Sequence, residues 1–216
     1  MKKEEIVLFG GGGHCRSVID VIEGEDRFRI AGIVDQAEML HEKISGYEVI
    51  ANDNDIPTLA KQYKYFFITI GHIRNSRPRW HLYDKLMTYN CSLPVIVSPK
   101  AHVSKRARLG PGTIVMPFAM VNSDAEIGPN CILNTSCIIE HDTVVGFNNH
   151  ISTGSIINGN CRIGDNNFIG TNSTILNNIT IGDDNLIGAA AVLVKSIGNN
   201  QKYFGNPATV IGRTYV

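Results

Sequence analysis

A histidine flanked by two carboxylates, Glu140-His141-Asp142, is the group of residues in this sequence best suited to acid–base chemistry. An imidazole of ordinary pKa can take up a proton near neutral pH, and a neighbouring carboxylate can orient the ring and stabilise its charged form. Side chains alternate along a straight strand, so both carboxylates would face away from His141 there. Glu140 or Asp142 can therefore reach the ring only where the chain turns a corner.

A second group, Gly10–Gly13 followed by His14, lies between a predicted buried strand, Ile6–Phe9, and an apolar helical pattern. Glycine lets a ligand approach the backbone closely, and the N-terminus of the following helix offers unpaired N–H groups, so a phosphate could bind there. A tight strand-to-helix turn explains the same glycines. The dinucleotide fingerprint G-x-G-x-x-G is incomplete because Cys15 replaces its third glycine, which argues against an NAD-dependent enzyme.

The elements that must position these groups follow from a six-residue repeat over residues 97–193. Small residues predominate two positions before each aliphatic residue, and Gly or Asn one position after it, where we expect strained corner backbone. Such a period is typical of a parallel β-helix, whose aliphatic and small side chains fill a narrow prism. All seventeen repeat positions hold Val, Ile or Leu: Val97, Val103, Leu109, Val115, Val121, Ile127, Leu133, Ile139, Val145, Ile151, Ile157, Ile163, Ile169, Ile175, Ile181, Ile187 and Leu193.

Short apolar strands alternate with helical patterns before the repeat, which predicts a small parallel sheet with helices on its faces. A second strand, Arg29–Val34, ends at Asp35, which could bind ribose hydroxyls or cap the strand. The segment Gly46–Asp55 reads as turns. The remaining predicted elements are a helix over Ile56–Gln62, a strand over Tyr65–Ile70 and a helix opened by Arg77 and Arg79. We therefore predict an α/β Rossmann-like domain over residues 1–94 and an all-β domain over residues 95–216.

Composition limits the class of partner. Twenty acidic and twenty basic residues give a net charge of zero, which removes the electrostatic case for nucleic acid or a membrane surface. The N-terminal residues predict neither a signal peptide nor a membrane span, so we expect a cytoplasmic protein. Cys131, Cys137 and Cys161 fall at small inward positions of the repeat without zinc-ligand spacing, and we expect reduced core cysteines and no metal.

The repeat resembles that of the hexapeptide-repeat acyltransferases, which implies a left-handed β-helix with three hexads per turn, a homotrimer, and acetyl-CoA bound between neighbouring prisms. The Gly-Gly-His opening, the Glu140-His141-Asp142 motif and the segment Phe204–Ala208 resemble one subgroup more closely. This subgroup spans the bacillosamine-type N-acetyltransferases and the sialic acid O-acetyltransferases. The likeness covers essentially the whole chain.

The resemblance also implies roles for individual residues. His141 would be the general base, Asp142 its favoured carboxylate partner, and Asn134 a neighbour of the base. His150 follows an inward position, so we expect it to be exposed where it could contact the thioester. The implied acetyl-CoA contacts are His150, Gly159, Gly188, Ala189, Asn206 and Pro207. The implied contacts to the nucleotide sugar are Gly12, Gly13, His14, Asp35, Gln36 and Arg79.

We therefore expect an acetyl-CoA-dependent N-acetyltransferase that acts on the 4-amino group of a UDP-linked 4-amino-4,6-dideoxy sugar by direct transfer. One alternative is O-acetylation of sialic or another nonulosonic acid. A second is a non-catalytic trimeric β-helix that serves as a binding module. The repeat does not distinguish the sugar, the nucleotide, or N- from O-acetylation.

Overall fold

The structure, a computed structural model of the chain, describes residues 3–214. Met1, Lys2, Tyr215 and Val216, which the predicted domain boundaries include, lie outside the described residues. The N-terminal elements are β1 (Glu4–Phe9), α1 (Gly13–Glu25), β2 (Phe28–Val34), a 3-10 turn (Ala37–Met39), β3 (Lys43–Ile44), β4 (Tyr47–Ala51), a second 3-10 turn (Asp53–Asp55), α2 (Ile56–Gln62), β5 (Tyr65–Ile68) and α3 (Arg77–Thr88).

The N-terminal strands form one sheet in the order β3-β4-β2-β1-β5, with parallel pairing except between β3 and β4. Central strand β1 is buried on both faces: Ile6 and Leu8 pack with α1, and Val7 and Phe9 pack with α2 and α3. The predicted parallel sheet with helices on its faces is therefore confirmed. Strand β4 was missed, because it offers only two buried positions, Val49 and Ala51, and lies within a turn-rich segment.

The repeat forms seventeen two-residue strands, each ending at one of the aliphatic positions. In chain order β6 to β22 are Ile96–Val97, His102–Val103, Arg108–Leu109, Ile114–Val115, Met120–Val121, Glu126–Ile127, Ile132–Leu133, Ile138–Ile139, Val144–Val145, His150–Ile151, Ile156–Ile157, Arg162–Ile163, Phe168–Ile169, Thr174–Ile175, Thr180–Ile181, Leu186–Ile187 and Val192–Leu193. A hairpin of β23 (Gln201–Phe204) and β24 (Thr209–Arg213) follows.

These strands stack into three parallel sheets that form the faces of a prism, with strand partners 18 residues apart, as for Met120 and Ile138. Face one runs from β6 through β9, β12, β15, β18 and β21 to the C-terminal hairpin. Face two runs from β7 to β22, and face three from β8 to β20. The aliphatic residues and Cys131, Cys137 and Cys161 fill the interior, and the three cysteines are buried free thiols, as predicted.

The corner geometry differs from the prediction. Left-handed backbone occurs at the third residue after the aliphatic position, as at Asn130, Asp142 and Asn148, and not at the first. Where the first position is glycine, it serves a different purpose. A Cβ atom on Gly128 would lie 2.5 Å from the carbonyl oxygen of Gly146 in the next coil. The repeat glycines therefore permit close stacking of successive coils.

The N-terminal domain packs on face one of the prism. Helix α1 lies against β6. The hydrophobic core between α1 and the N-terminal sheet continues into Ile114, Met116 and Ile132 of that face. The segment after β5 also reaches the prism, where the His72 carbonyl accepts a hydrogen bond from Nδ1 of His150. Within residues 3–214, no helix is both long and apolar enough to cross a lipid bilayer.

Candidate active site

His141 lies at the corner between faces two and three, where Asp142 adopts a left-handed conformation with φ of 61°. This turn interrupts the strand alternation and brings Oδ2 of Asp142 to 2.8 Å from Nδ1 of His141. Glu140 instead accepts a hydrogen bond of 2.7 Å from Nδ2 of Asn122. Of the two carboxylates, it is therefore Asp142 that pairs with the imidazole, and that hydrogen bond is the main cause that raises the pKa of His141.

Gly159 lies one coil beyond His141 and faces its ring. A Cβ atom at this position would lie 2.8 Å from both Cε1 and Nε2 of His141. The backbone N–H of Asn160 also donates to the His141 carbonyl at 2.9 Å. The absence of a side chain at Gly159 thus leaves room for the imidazole in its present position.

A cleft of about 640 Å³ lies between the N-terminal domain and face one. Its lining residues come from the glycine-rich turn, from the segment after β5 and from the prism: Gly10–Gly13, His14, Ser17, Asp35, Thr69–Ile73, Asn134 and His150. Parallel strands β1 and β5 both end here, which is the edge where ligands bind in open α/β sheets. The N-terminus of α1 opens into the cleft at Gly12 and Gly13, both of which are exposed, so its N–H groups could bind an anion.

Asp35 holds the glycine-rich turn in place. Its carboxylate accepts hydrogen bonds from the backbone N–H of Gly11 at 2.5 Å and from that of Gln36 at 2.7 Å. The strand-end cap left open by the sequence is thus present, and Asp35 also lines the cleft. Gln36 is exposed and lines an adjoining recess of about 370 Å³ together with Asn52–Asn54.

Three histidine rings lie together at the prism end of the cleft. The His150 ring lies 5.6 Å from that of His72 and 6.5 Å from that of His14, measured between centroids. Nδ1 of His150 donates to the His72 carbonyl at 2.7 Å, which leaves Nε2 as the acceptor in the neutral ring. The exposure predicted for His150 was wrong: the residue is 8% exposed, because the segment after β5 covers it.

Burial is the main cause that lowers the pKa of all three rings, to about 3 for His14 and His72 and to about 4 for His150. The three imidazoles are therefore neutral at pH 7. His72 was missed at the sequence level, although its position directly after Gly71 at the end of a predicted strand was the available signal.

Asn134 belongs to this cluster and not to the His141 corner. Its Nδ2 lies 3.2 Å from Nε2 of His150. Within one chain, Asn134 follows a strand of face one whereas His141 follows a strand of face two, so the place of Asn134 beside a catalytic histidine stays a prediction.

Arg79 was expected to contact substrate, and the structure contradicts this. The residue is 0% exposed, and its guanidinium donates to the carbonyls of Ile68 at 2.7 Å, Ile70 at 2.8 Å and Asn130 at 3.2 Å. Helix α3 is thereby joined both to the end of β5 and to a corner of the prism. Complete burial lowers the pKa of Arg79 to about 9.

Comparison with known proteins identifies the family to which this architecture belongs. The family described as the PglD N-terminal domain matches residues 5–86, and the bacterial transferase hexapeptide (six repeats) matches residues 142–177 and 160–195. A crystal structure of a mutant perosamine N-acetyltransferase from Caulobacter crescentus, in complex with CoA and GDP-perosamine, is 31% identical and has a TM-score of 0.90. That match covers 96% of this chain and 97% of the relative. The chain belongs to the hexapeptide-repeat sugar acetyltransferases.

A second similar structure is the acetyltransferase domain of PglB from Neisseria gonorrhoeae FA1090, with 27% identity, a TM-score of 0.90, and coverage of 97% of this chain and 100% of that one. The same domain in complex with acetyl coenzyme A is 28% identical over the same shares, with a TM-score of 0.85. A search of curated proteins found no match. The chain is therefore an acetyl-CoA-dependent sugar acetyltransferase with a left-handed β-helix, which sets aside the non-catalytic alternative.

Of the C-terminal residues predicted to contact CoA in this acetyltransferase, Gly188 and Ala189 follow the strand of Leu186, two coils beyond His150, and Asn206 and Pro207 lie in the hairpin that pairs with that strand. Gly188 lies against the Phe204 ring, where a Cβ atom would clash, and Ala189 is exposed beside it. Asn206 and Pro207 are exposed in the turn between β23 and β24. The carbonyl of Gly205 and the N–H of Ala208 are both hydrogen-bonded to Val192, which fixes this turn on the last coil.

The His141–Asp142 pair and the cleft on face one are separate within one chain of the acetyltransferase. Of the residues that the structure describes, those lining the cleft on face one do not include His141. No group of three or more His, Cys, Asp or Glu side chains in residues 3–214 is arranged to hold a metal ion. The side chains present can move a proton at His141 and bind a polar ligand in the cleft.

Proposed function

We propose that the enzyme N-acetylates the 4-amino group of a nucleotide-linked 4-amino-4,6-dideoxyhexose, with His141 as the general base. The observation that carries this proposal is the hydrogen bond between Asp142 and Nδ1 of His141, which leaves Nε2 as the nitrogen that can accept a proton. The neutral amine would attack the thioester carbonyl directly. A C–N bond forms, the C–S bond breaks, and the amine proton passes through His141 to the departing thiolate of CoA.

An amine acceptor is favoured over the hydroxyl of a nonulosonic acid. The relative from Caulobacter crescentus is named as an N-acetyltransferase and holds GDP-perosamine, and this chain matches it over almost its full length. The resemblance seen in the sequence implied a UDP-linked sugar. UDP and GDP amino sugars are therefore the two substrates to compare directly.

We expect the nucleotide sugar to bind in the cleft in one orientation. We expect the diphosphate at Gly12 and Gly13, where α1 begins, and the nucleoside toward Asp35 and Gln36. The hexose would then extend toward His14 and His150. In this arrangement His150 of one copy and Gly159 of a neighbouring copy contribute to binding the thioester, and Gly188, Ala189, Asn206 and Pro207 contact the rest of CoA.

A homotrimer would complete the site. The outward side chains of face two include the half-buried Met120, Ile138, Ile156 and Val192 and the exposed Leu176, a row suited to packing against another copy. We propose that His141 of one copy faces the cleft of its neighbour, which would also bring Asn134 near a catalytic histidine. Light scattering at working concentration should give the trimer mass. A cytoplasmic location stays a prediction from the sequence.

The direct test is release of CoA thiol with a panel of UDP- and GDP-linked 4-amino sugars and a panel of free nonulosonic acids. We expect turnover only with the amino sugars, and mass spectrometry should show an N-acetyl product. His141→Ala should lower kcat by about 10²–10⁴-fold. Turnover of the nonulosonic acids alone would replace this proposal by O-acetylation, and an unchanged rate in His141→Ala would remove the base from His141.

A further inference from the structure

The His72 side chain has no structural hydrogen bond to account for its burial. The residue is 6% exposed, and neither ring nitrogen has a hydrogen-bond partner of acceptable geometry among residues 3–214. The backbone of the nearby Asn167 partly opposes the lowering of the His72 pKa. Its geometry nevertheless does not complete a hydrogen bond to the ring. Buried polar atoms in native proteins are nearly always paired, because an unpaired one costs free energy. A partner from outside the chain is therefore expected.

The His72 ring lies where a ligand can supply that partner. His72 lines the cleft at the end of β5, and its ring lies 5.6 Å from that of His150, measured between centroids. The part of His72 that holds His150 in position is its backbone carbonyl, not its ring. The ring can thus change without removing that bond, and neither of its nitrogens is committed to a partner within residues 3–214.

The chemistry of the ring selects the kind of ligand group. A neutral imidazole carries one N–H donor and one nitrogen acceptor, and a hydroxyl group likewise donates and accepts. A diphosphate, which only accepts, is matched better by the N–H groups at Gly12 and Gly13. Next to the 4-amino carbon of a 4-amino-4,6-dideoxyhexose, the only hydroxyl is on C3, because C5 carries the methyl group.

We propose that the His72 ring is a specificity-determining group that hydrogen-bonds the 3-hydroxyl of the acceptor hexose. The assignment rests on the proposed function, since it takes the reacting end of the sugar to lie beside His150. It predicts that the enzyme rejects a 3-deoxy substrate, because that substrate would leave unpaired the buried His72 nitrogen that the 3-hydroxyl bonds.

The experiment compares kcat/KM for the full nucleotide amino sugar, its 3-deoxy analogue and its 2-deoxy analogue, in wild type, His72→Leu and His72→Asn. Wild type should discriminate against the 3-deoxy substrate by about 10- to 100-fold. His72→Leu should lose a similar factor on the full and 2-deoxy substrates and almost nothing on the 3-deoxy substrate. His72→Asn, which keeps a donor and an acceptor, should recover part of the loss. The KM for acetyl-CoA and the thermal unfolding midpoint report whether each variant is intact.

Equal losses on the full and 3-deoxy substrates in His72→Leu would show that the ring acts only by packing, and would overturn the proposal. A loss that disappears with the 2-deoxy substrate instead would show that the 3-hydroxyl is the wrong partner. A wild-type enzyme inactive on every amino sugar would refute the proposed function and this assignment together, whereas an active wild type whose discrimination survives in His72→Leu refutes the assignment alone.

Discussion

Nδ1 of His141 lies 2.8 Å from Oδ2 of Asp142, although the two residues are neighbours in the sequence. The left-handed backbone of Asp142 folds its carboxylate back onto the preceding ring. Because this hydrogen bond stabilises the imidazolium, it raises the pKa of His141. The same contact fixes the ring tautomer, so that Nε2 is the atom that accepts a proton.

Replacing Asp142 by Asn should therefore change both the pH dependence and the rate. The active base is the neutral imidazole, so activity rises with pH through the pKa of His141. Removing the carboxylate lowers that pKa, and the acidic limb of the kcat/KM profile should move to lower pH. The plateau should fall by about tenfold or more, because the ring loses its orientation.

Glu140→Gln is the matched control for this profile. Glu140 bonds Asn122 and raises the pKa of His141 only as the last of several causes. Its acidic limb should move less than that of Asp142→Asn. An acidic limb that stays in place in Asp142→Asn would show that the activity does not report His141.

A methyl group on Gly159 should displace the base without unfolding the prism. The new Cβ atom would lie 2.8 Å from Nε2 of His141, the far end of an exposed side chain that can move away. Gly159→Ala should lower kcat by about 10- to 100-fold, since a shift of about 1 Å in a reacting group can cost that much. Its thermal midpoint should stay near that of wild type.

Gly128→Ala provides the opposite control. Its Cβ atom would lie 2.5 Å from the Gly146 carbonyl oxygen, which belongs to the packed backbone and cannot move away cheaply. Gly128→Ala should lower the thermal midpoint. If Gly159→Ala and Gly128→Ala lose stability to the same degree, Gly159 serves the coil and not the base.

The prism was predictable because every repeat position has one fixed orientation. An aliphatic residue at each sixth position defines three inward faces, and seventeen of seventeen such positions end a strand. The corners were misplaced because composition alone does not separate two uses of glycine. Left-handed backbone falls on residues such as Asp142, whereas Gly128 is needed for contact with the next coil.

The failures at the site have a common physical cause. The exposure of His150 was judged from its own strand, and the substrate contact of Arg79 was taken from the resemblance, but the other domain buries both residues. The His72 carbonyl accepts a hydrogen bond from His150, 78 residues further along the sequence. The Asn130 carbonyl accepts one from Arg79, which lies 51 residues earlier. Periodicity describes a residue's own element, so it cannot show which side chains a neighbouring domain covers.

Arg79 should therefore affect stability more than catalysis. Arg79→Met keeps the volume but leaves three buried carbonyls without their donor, so the free energy of unfolding should fall by about 3 kcal/mol or more. Urea unfolding measures the loss, and the exposed Arg77→Met on the same helix should stay within about 0.5 kcal/mol of wild type. Wild-type stability in Arg79→Met would show that the guanidinium does not join the two domains.

The three buried histidines should make the fold sensitive to mild acid. The pKa values of His14, His72 and His150 fall from 6.5 to about 3, 3 and 4 in the folded chain. The unfolded chain therefore binds more protons below pH 6.5, and the free energy of unfolding falls as the pH drops from 6.5 toward 4. Each ring contributes a slope of about 1.4 kcal/mol per pH unit within that window and none well above it. Urea unfolding of His72→Asn at pH 7, 6 and 5 should show a slope smaller by about that amount, and a slope equal to that of wild type would mean that His72 is protonated in the folded chain.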